Sequence, residues 1–294
     1  MNEKVLVLMA THNGMKWLEE QLNSILSQEG VAVSVLASDD ASTDGTFQYL
    51  NSNPGVILLE GRGPYSSAGR NFFHLLLRAD FSGYDYVAFS DQDDIWHPWK
   101  LKRAIGCMAT QRCEGYSANV TAFWENGREV LVDKAQPQRE WDFLFQSAGA
   151  GCTYLMSGLL SRSIQHALRM KLWIAEEISL HDWFVYAWAR ANGFKWFIDN
   201  MSVMRYRQHS LNAIGMNFGF KIAKNRIEKI KSGWYRGQVA AIAKACGVES
   251  QQLVSQVLSK TWSGRIKLSQ HARKFRRNNR DAFVLAFTSL MGWF

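Results

Sequence analysis

The segment Tyr86-Val87-Ala88-Phe89-Ser90-Asp91-Gln92-Asp93-Asp94-Ile95-Trp96 runs from apolar side chains into a carboxylate cluster and back to apolar ones. Continuous apolar character over residues 86–89 predicts a strand buried on both faces, as in parallel sheets covered by helices. Asp91 and Asp93, one residue apart at the end of that strand, can jointly hold a hard divalent cation that keeps several waters and also takes phosphate oxygens. In a polar loop such an acidic run would be an ordinary solvated turn. Here Ile95 and Trp96 follow closely, so buried-type residues bracket the carboxylates on both sides.

Upstream, the same pattern of strand followed by polar turn repeats. Residues 5–9 are an apolar run leading to Thr11, His12 and Asn13, and residues 33–37 are another leading to Asp39 and Asp40. Between them Trp17, Leu18, Gln21, Leu22, Ile25 and Leu26 recur at helical spacing. Ser42-Thr43-Asp44 is expected to cap a short helix through Tyr49, with a third strand at 56–59 and a helix at 71–78. The order β-α-β-α-β-α-β predicts an α/β fold with a Rossmann-like, mostly parallel sheet flanked by helices, and such sheets bind ligands at the carboxyl ends of their strands. Three polar clusters fall on that edge, although Asp44 and Asp94 read equally well as turn residues.

After Trp96 the pattern loosens. A helix is expected near 100–110, strands near 120–124 and 129–132, and a helix-rich stretch from about Ser161. The small-residue run Ser147-Ala148-Gly149-Ala150-Gly151 separates them. Residues 181–191 look amphipathic, and a strand pair near 196–198 and 203–206 leads into Arg207-Gln208-His209. Beyond about Asn217 only basic helices are indicated, so the chain is read as a sheet domain over 1–216 and a helical C-terminal extension over 217–294.

With 294 residues, 47% hydrophobic and 20% charged, the chain can bury a substantial core and is unlike a disordered one. Cys107, Cys113, Cys152 and Cys246 have neither zinc-knuckle spacing nor the density of a disulfide framework, which suits a reducing, cytoplasmic setting. No apolar run is long enough to span a bilayer or resembles an export signal. A net charge of +8 and a pI near 9.3 favour a polyanionic partner.

ATHNGMKWLEEQLNSILSQ (10–28), ASDDASTDGT (37–46) and FSDQDDIWHPWKL (89–101) together resemble family 2 glycosyltransferases of the nucleotide-diphospho-sugar transferase (GT-A) fold. GRNFFHLL (69–76), CTYLM (152–156), HDWFVYAWA (181–189) and YRQHSLNAIG (206–215) are similar to that family's bacterial rhamnosyltransferase-like branch, which assembles cell-surface polysaccharides. The resemblance extends over roughly residues 4–215. It implies an inverting, metal-dependent transfer from a nucleotide-diphosphate sugar, dTDP-L-rhamnose in this branch, to a saccharide acceptor. Thr11 and Asp40 would line the nucleoside pocket with Asn13 beside them, Asp91 would face ribose or metal, and Asp93 would coordinate Mg²⁺ or Mn²⁺. Asp182 falls where the family places its catalytic base, and His209 would join the metal or diphosphate. Two departures stand out: the family more often has Gly at Ala41 and Glu at His181.

The chemistry is consistent with that assignment. A bound cation neutralises a leaving diphosphate in place of a general acid, and a carboxylate on the opposite face takes the proton of the attacking hydroxyl. Apart from the resemblance, Asp182 fits equally a helix N-terminal carboxylate favoured by the dipole. Arg70 either reaches the diphosphate or is a solvated arginine. Sugar faces stack on aromatic rings, so Trp96, Trp99, Trp183 or Trp188 is either an acceptor platform or core.

Two basic stretches lie in the extension. Lys221, Lys224, Arg226, Lys229 and Lys231 alternate with Phe220, Ile222, Ile227 and Ile230. Lys267, Arg273, Lys274, Arg276, Arg277 and Arg280 precede Phe283, Leu285, Phe287, Leu290, Trp293 and Phe294. That order suits peripheral attachment to an anionic membrane, at the cytoplasmic face of the inner membrane where a lipid-linked acceptor would be met. The alternative is a solvated helix face covering the domain. No recognition motif supports nucleic acid. Rival functions are transfer from a UDP-hexose and a non-catalytic nucleotide-sugar-binding protein.

Overall fold

The computed structural model describes residues 2–61, 63–209 and 228–294. Its sheet has nine strands in the order β3-β2-β1-β4-β8-β6-β9-β5, with β7 paired to β6. β1 (Glu3–Thr11) lies parallel between β2 (Val31–Asp39) and β4 (Tyr86–Ser90), and β3 (Val56–Leu58) extends β2. Val5, Val7, Leu8, Val35, Val87 and Phe89 are fully buried, as strands covered on both faces require. The crossovers are α1 (Met15–Leu26), α2 (Thr46–Ser52) and α3 (Ala68–Arg78), so the expected alternation is borne out.

Beyond β4 the sheet is mixed rather than mostly parallel. β8 (Leu155–Ser157) runs antiparallel to β4 and to β6 (Gly115–Phe123), β7 (Glu129–Val132) antiparallel to β6, and β5 (Ile95–Trp96) antiparallel to β9 (Trp196–Arg207). The two strands expected near 196–206 are this single strand β9, parallel to β6 with register shifts after Ala118 and Asn119. The irregularity broke the apolar alternation and made one strand read as two. Helices α4 (Lys100–Gln111), α5 (Gly158–Met170), α6 (Trp173–Glu177) and α7 (His181–Ala191) follow.

The chain divides into two compact units, Met1–Ala135 with Ala148–Asp182 and Phe194–Gly215, and Gln136–Ser147 with Trp183–Gly193 and Met216–Phe294. The boundary expected at 216 is therefore not a single cut, because two internal segments group with the C-terminal helices. Those helices are α8 (Trp234–Ala245), α9 (Gln252–Leu258), α10 (Trp262–Phe275) and α11 (Asn279–Leu290). Asp142 is the reason the segments belong there: wholly buried, it accepts from Arg190, Arg277 and the Tyr186 hydroxyl at 3.0–3.1 Å. Phe145 packs on Tyr235, Phe275 and Phe294 around it. Of the first basic stretch, Lys221, Lys224, Arg226, Phe220, Ile222 and Ile227 lie outside the described residues. Among the described residues no helix is long and apolar enough to cross a membrane.

Candidate active site

The ends of β1 and β2 are tied into one polar rim. Asp39 is buried and accepts from the Thr11 hydroxyl (3.0 Å), the Ser42 hydroxyl (2.5 Å) and the Ser42 backbone N–H (2.9 Å). Asn13 Oδ1 accepts from the Thr43 N–H at 2.8 Å. The side chains of Thr11 and Asn13 thus hold the rim together, a job done by Asp39 as much as by them. Asp40 is also buried, its carboxylate accepting from the Tyr65 backbone N–H and its carbonyl oxygen meeting His12 Nδ1 at 2.6 Å. Ala41 sits in the left-handed region at φ 55°, which explains why glycine suits this position. The N-cap of α2 is Gly45, which has no capping side chain; Asp44, one residue earlier, accepts from the Thr46 N–H and hydroxyl, and Ser42 is committed to Asp39.

Gln92, between the two metal-site candidates, pins the end of β4 to this rim. Its amide accepts from the His12 N–H (2.7 Å) and donates to the His12 carbonyl (2.8 Å). The approach is so close that a Cβ on Gly14 would stand 2.3 Å from the Gln92 side chain. The middle residue of the Asp-x-Asp pattern is therefore structural, something its spacing gives no sign of.

The charges of Asp93 and Asp182 act on Asp91, and those of Asp93 and Asp91 act on Asp94. Burial, then the charges of Asp93 and Asp182, push the Asp91 carboxyl up to about 7. Burial also raises Asp93, against which His209 and Arg207 pull downward. His209 Nε2 lies 2.7 Å from Asp93 Oδ2, with its ring stacked on Trp17 at 3.9 Å. Pairing of β5 with β9 makes this meeting possible, since it lays Arg207 along the cluster. The Arg207 Nε donates to the Asp93 carbonyl (2.8 Å), its N–H donates to Asp94 Oδ1 (3.0 Å), and its guanidinium pairs with Glu20.

Asp182 stands in the first turn of α7, against the small-residue run: a Cβ on Gly151 would lie 3.0 Å from Asp182 Cβ and 3.2 Å from His181 Nε2. His181 is buried, stacked on Phe72 at 3.9 Å and edge-on to Phe89, and burial holds its imidazole down at about 3. It is a neutral ring filling the space beside the base candidate.

Behind the cluster lies Lys100, wholly buried, donating to the Cys152 carbonyl at 2.7 Å with its ammonium 2.9 Å from the centroid of Trp96. Burial pulls Lys100 well below the usual lysine value and pushes Asp94 and the Cys152 thiol well above theirs. Sequence reading missed this layer, and the WKL at 99–101 carries no signal of it. Trp96 is 2% exposed and covered by Lys100, so it is core and not an acceptor platform. Trp183 is corrected likewise: 3% exposed, it donates Nε1–H to the Phe143 carbonyl and stacks on Tyr235. Arg70 is exposed in the first turn of α3, donating to the Glu176 carbonyl at 3.5 Å.

The donor set suits a hard cation at Asp91 and Asp93, whose mutual repulsion a divalent charge would relieve. Asp91, Asp94 and Cys152 also bring donor atoms within 4.8 Å of one another. That second set suits such a cation poorly, because a thiol is a soft ligand and burial pushes the Cys152 thiol well above its usual value, away from the thiolate a metal needs.

Residues 6–153 match the description of glycosyl transferase family 2. The dTDP-rhamnosyl transferase RfbG of Shigella flexneri is 38% identical over 291 residues, covering 97% of this chain and 100% of that one. The Escherichia coli UDP-Glc:alpha-D-GlcNAc-diphosphoundecaprenol beta-1,3-glucosyltransferase WfgD is 26% identical over 50% of this chain and 57% of its own. Among solved structures, S. aureus TarS 1–349 superposes with a TM-score of 0.56 at 17% identity, covering 98% of this chain and 92% of that one, a likeness of fold. A carboxylate cluster on the strand ends of this sheet, and a match that takes in β1 through the Asp91–Asp94 turn, place the chain in glycosyl transferase family 2.

Proposed function

We propose that the chain transfers L-rhamnose from dTDP-L-rhamnose to a saccharide acceptor in cell-surface polysaccharide synthesis, with inversion at the anomeric carbon. The observation that carries this reading is that Asp91 and Asp93 follow the end of β4 and that Asp182, in the first turn of α7, is near enough for its charge to act on Asp91. The donor follows from the activity named for the Shigella flexneri relative. Asp91 and Asp93 would hold Mg²⁺ or Mn²⁺, which when bound neutralises the charge developing on the leaving diphosphate. Asp182 takes the proton of the acceptor hydroxyl as that oxygen attacks, and one base with in-line attack inverts the centre. Asp40 accepts from the thymine ring, Thr11 and Asn13 shape the rim under the nucleoside, and Arg70 reaches toward the diphosphate. His209 keeps Asp93 oriented through its 2.7 Å contact.

The acceptor is lipid-linked and the enzyme peripheral on the cytoplasmic membrane face, a reading supported by the basic C-terminal helices and by the diphosphoundecaprenol in the Escherichia coli relative's name. That name also favours a second reading, a UDP-hexose donor. Replacement Asp93→Ala should abolish transfer and weaken metal binding measured by calorimetry. Full activity in that variant, or of the unmodified protein in excess chelator, contradicts the metal assignment.

A further inference from the structure

Helix α11 is built inside out. Its buried face carries Ala282, Leu285, Thr288 and Ser289, while Phe283, Val284, Phe287, Leu290 and, just past its end, Met291 are exposed. The exposed set falls at positions i, i+1, i+4, i+7 and i+8, a single stripe of a helix with 3.6 residues per turn. Phe283 is 72% exposed, more than any other large apolar side chain among the described residues. A helix that only covered a core would turn Phe and Leu inward and Thr and Ser outward. Two further rings extend the apolar surface. Trp262, 62% exposed, begins α10, and the Ser289 hydroxyl donates to the Arg265 carbonyl at 3.0 Å, so the first turn of α10 lies against the last turn of α11. Trp293 lies beyond α11 with the Lys231 ammonium 4.3 Å over its ring.

The charge around this surface is predominantly positive. Residues 260–294 contain eight Lys and Arg against one acidic residue, Asp281. Lys274, Arg276 and Arg277 are used internally, on Glu140, the Phe145 carbonyl and Asp142. Exposed Arg280 precedes Phe283 on the same stripe, and exposed Lys260 stands two residues before Trp262. Leu285 and Phe294, expected to be lipid-facing, are instead buried. Two copies of this surface would bring like charges together, whereas an anionic lipid surface offers both an apolar boundary and opposite charge.

We propose that the outward face of α11, with Trp262 at its end, is the surface by which the protein inserts shallowly into an anionic lipid bilayer. This deepens the peripheral-membrane reading above by assigning its residues, and its readout is lipid binding rather than turnover. The full-length protein and the variant Phe283→Ser/Phe287→Ser/Leu290→Ser are compared by cosedimentation with phosphatidylglycerol–phosphatidylcholine vesicles and with phosphatidylcholine alone. The unmodified protein should favour the anionic vesicles and lose affinity as salt rises, and the variant should bind at least tenfold more weakly while transferring sugar to a soluble acceptor unchanged. Should the triple variant misfold, Phe283→Cys carrying an environment-sensitive dye serves instead, with a blue shift expected on anionic vesicles only. Equal binding by variant and unmodified protein, or no spectral shift, overturns the assignment. So does a dimer of the unmodified protein that ignores vesicles and that the triple substitution converts to a monomer.

Discussion

Asp182 and His181 are chain neighbours with opposite chemistry. Asp182 joins the carboxylate cluster, and its charge helps raise Asp91, whereas His181 is stacked away among Phe72 and Phe89. Asp182→Asn is expected to lower kcat by roughly 10²–10⁴-fold while leaving donor affinity within a few-fold, since a base acts in the transition state. Loss of donor binding in calorimetry would make Asp182 a nucleotide residue. His181 gives a pH signature of its own. Its folded value of about 3 lies below the usual 6.5, so the unfolded chain takes up a proton first as pH falls. Stability from this group is complete above about pH 6.5 and is lost at up to about 1.4 kcal/mol per unit as pH drops toward 3. Urea midpoints at pH 7 and pH 5 should differ less in His181→Phe than in the unmodified protein; an unchanged difference would mean the ring is hydrated. Asp91 and Asp93 could be proposed from a local motif at a strand end, and Asp182 only from the family resemblance. The sequence left the contacts of Lys100 with Cys152 and of Gln92 with His12 unread, since those partners come from distant segments that only folding brings close.

At the level of elements, the β1-to-β4 half was legible from apolar runs and helical spacing, each confined to consecutive residues. The other half was not: β8 is three residues long, and β9 carries register shifts that hide its continuity. Two local features carry measurable energy. Ala41, at φ 55° in the turn after β2, stores left-handed strain that Ala41→Gly should release, raising stability by about 0.5–1 kcal/mol once the added chain entropy of glycine is set against it. A lower urea midpoint in that variant would show that the Ala41 methyl contributes more by packing. Asp142 is wholly buried between two arginines, so Asp142→Ala should cost about 3–5 kcal/mol by leaving Arg277 uncompensated. A change under 1 kcal/mol in chemical denaturation would mean that water reaches that site.

At the scale of the whole molecule, the sheet unit holds all the carboxylates of the site, and the second unit is organised around Asp142 and the aromatic group of Phe145, Tyr235, Phe275 and Phe294. The sequence suggested a domain followed by a tail, because composition changes near Asn217. It could not show that Gln136–Ser147 and Trp183–Gly193 join the C-terminal helices, a grouping that depends on an aspartate and arginines far apart in the chain. High tryptophan content suggested sugar stacking, yet Trp96 and Trp183 serve packing, as large aromatic rings most often do. The reaction itself is the central claim, and it is read most directly by incubating the purified full-length protein and a saccharide acceptor with dTDP-L-rhamnose, UDP-glucose or UDP-N-acetylglucosamine, with Mg²⁺ or Mn²⁺, and following the released nucleotide diphosphate. Metal-dependent, acceptor-dependent release is expected to be at least tenfold faster from dTDP-L-rhamnose than from either UDP-sugar; faster release from a UDP-sugar, or no release from any of the three, would contradict rhamnosyl transfer.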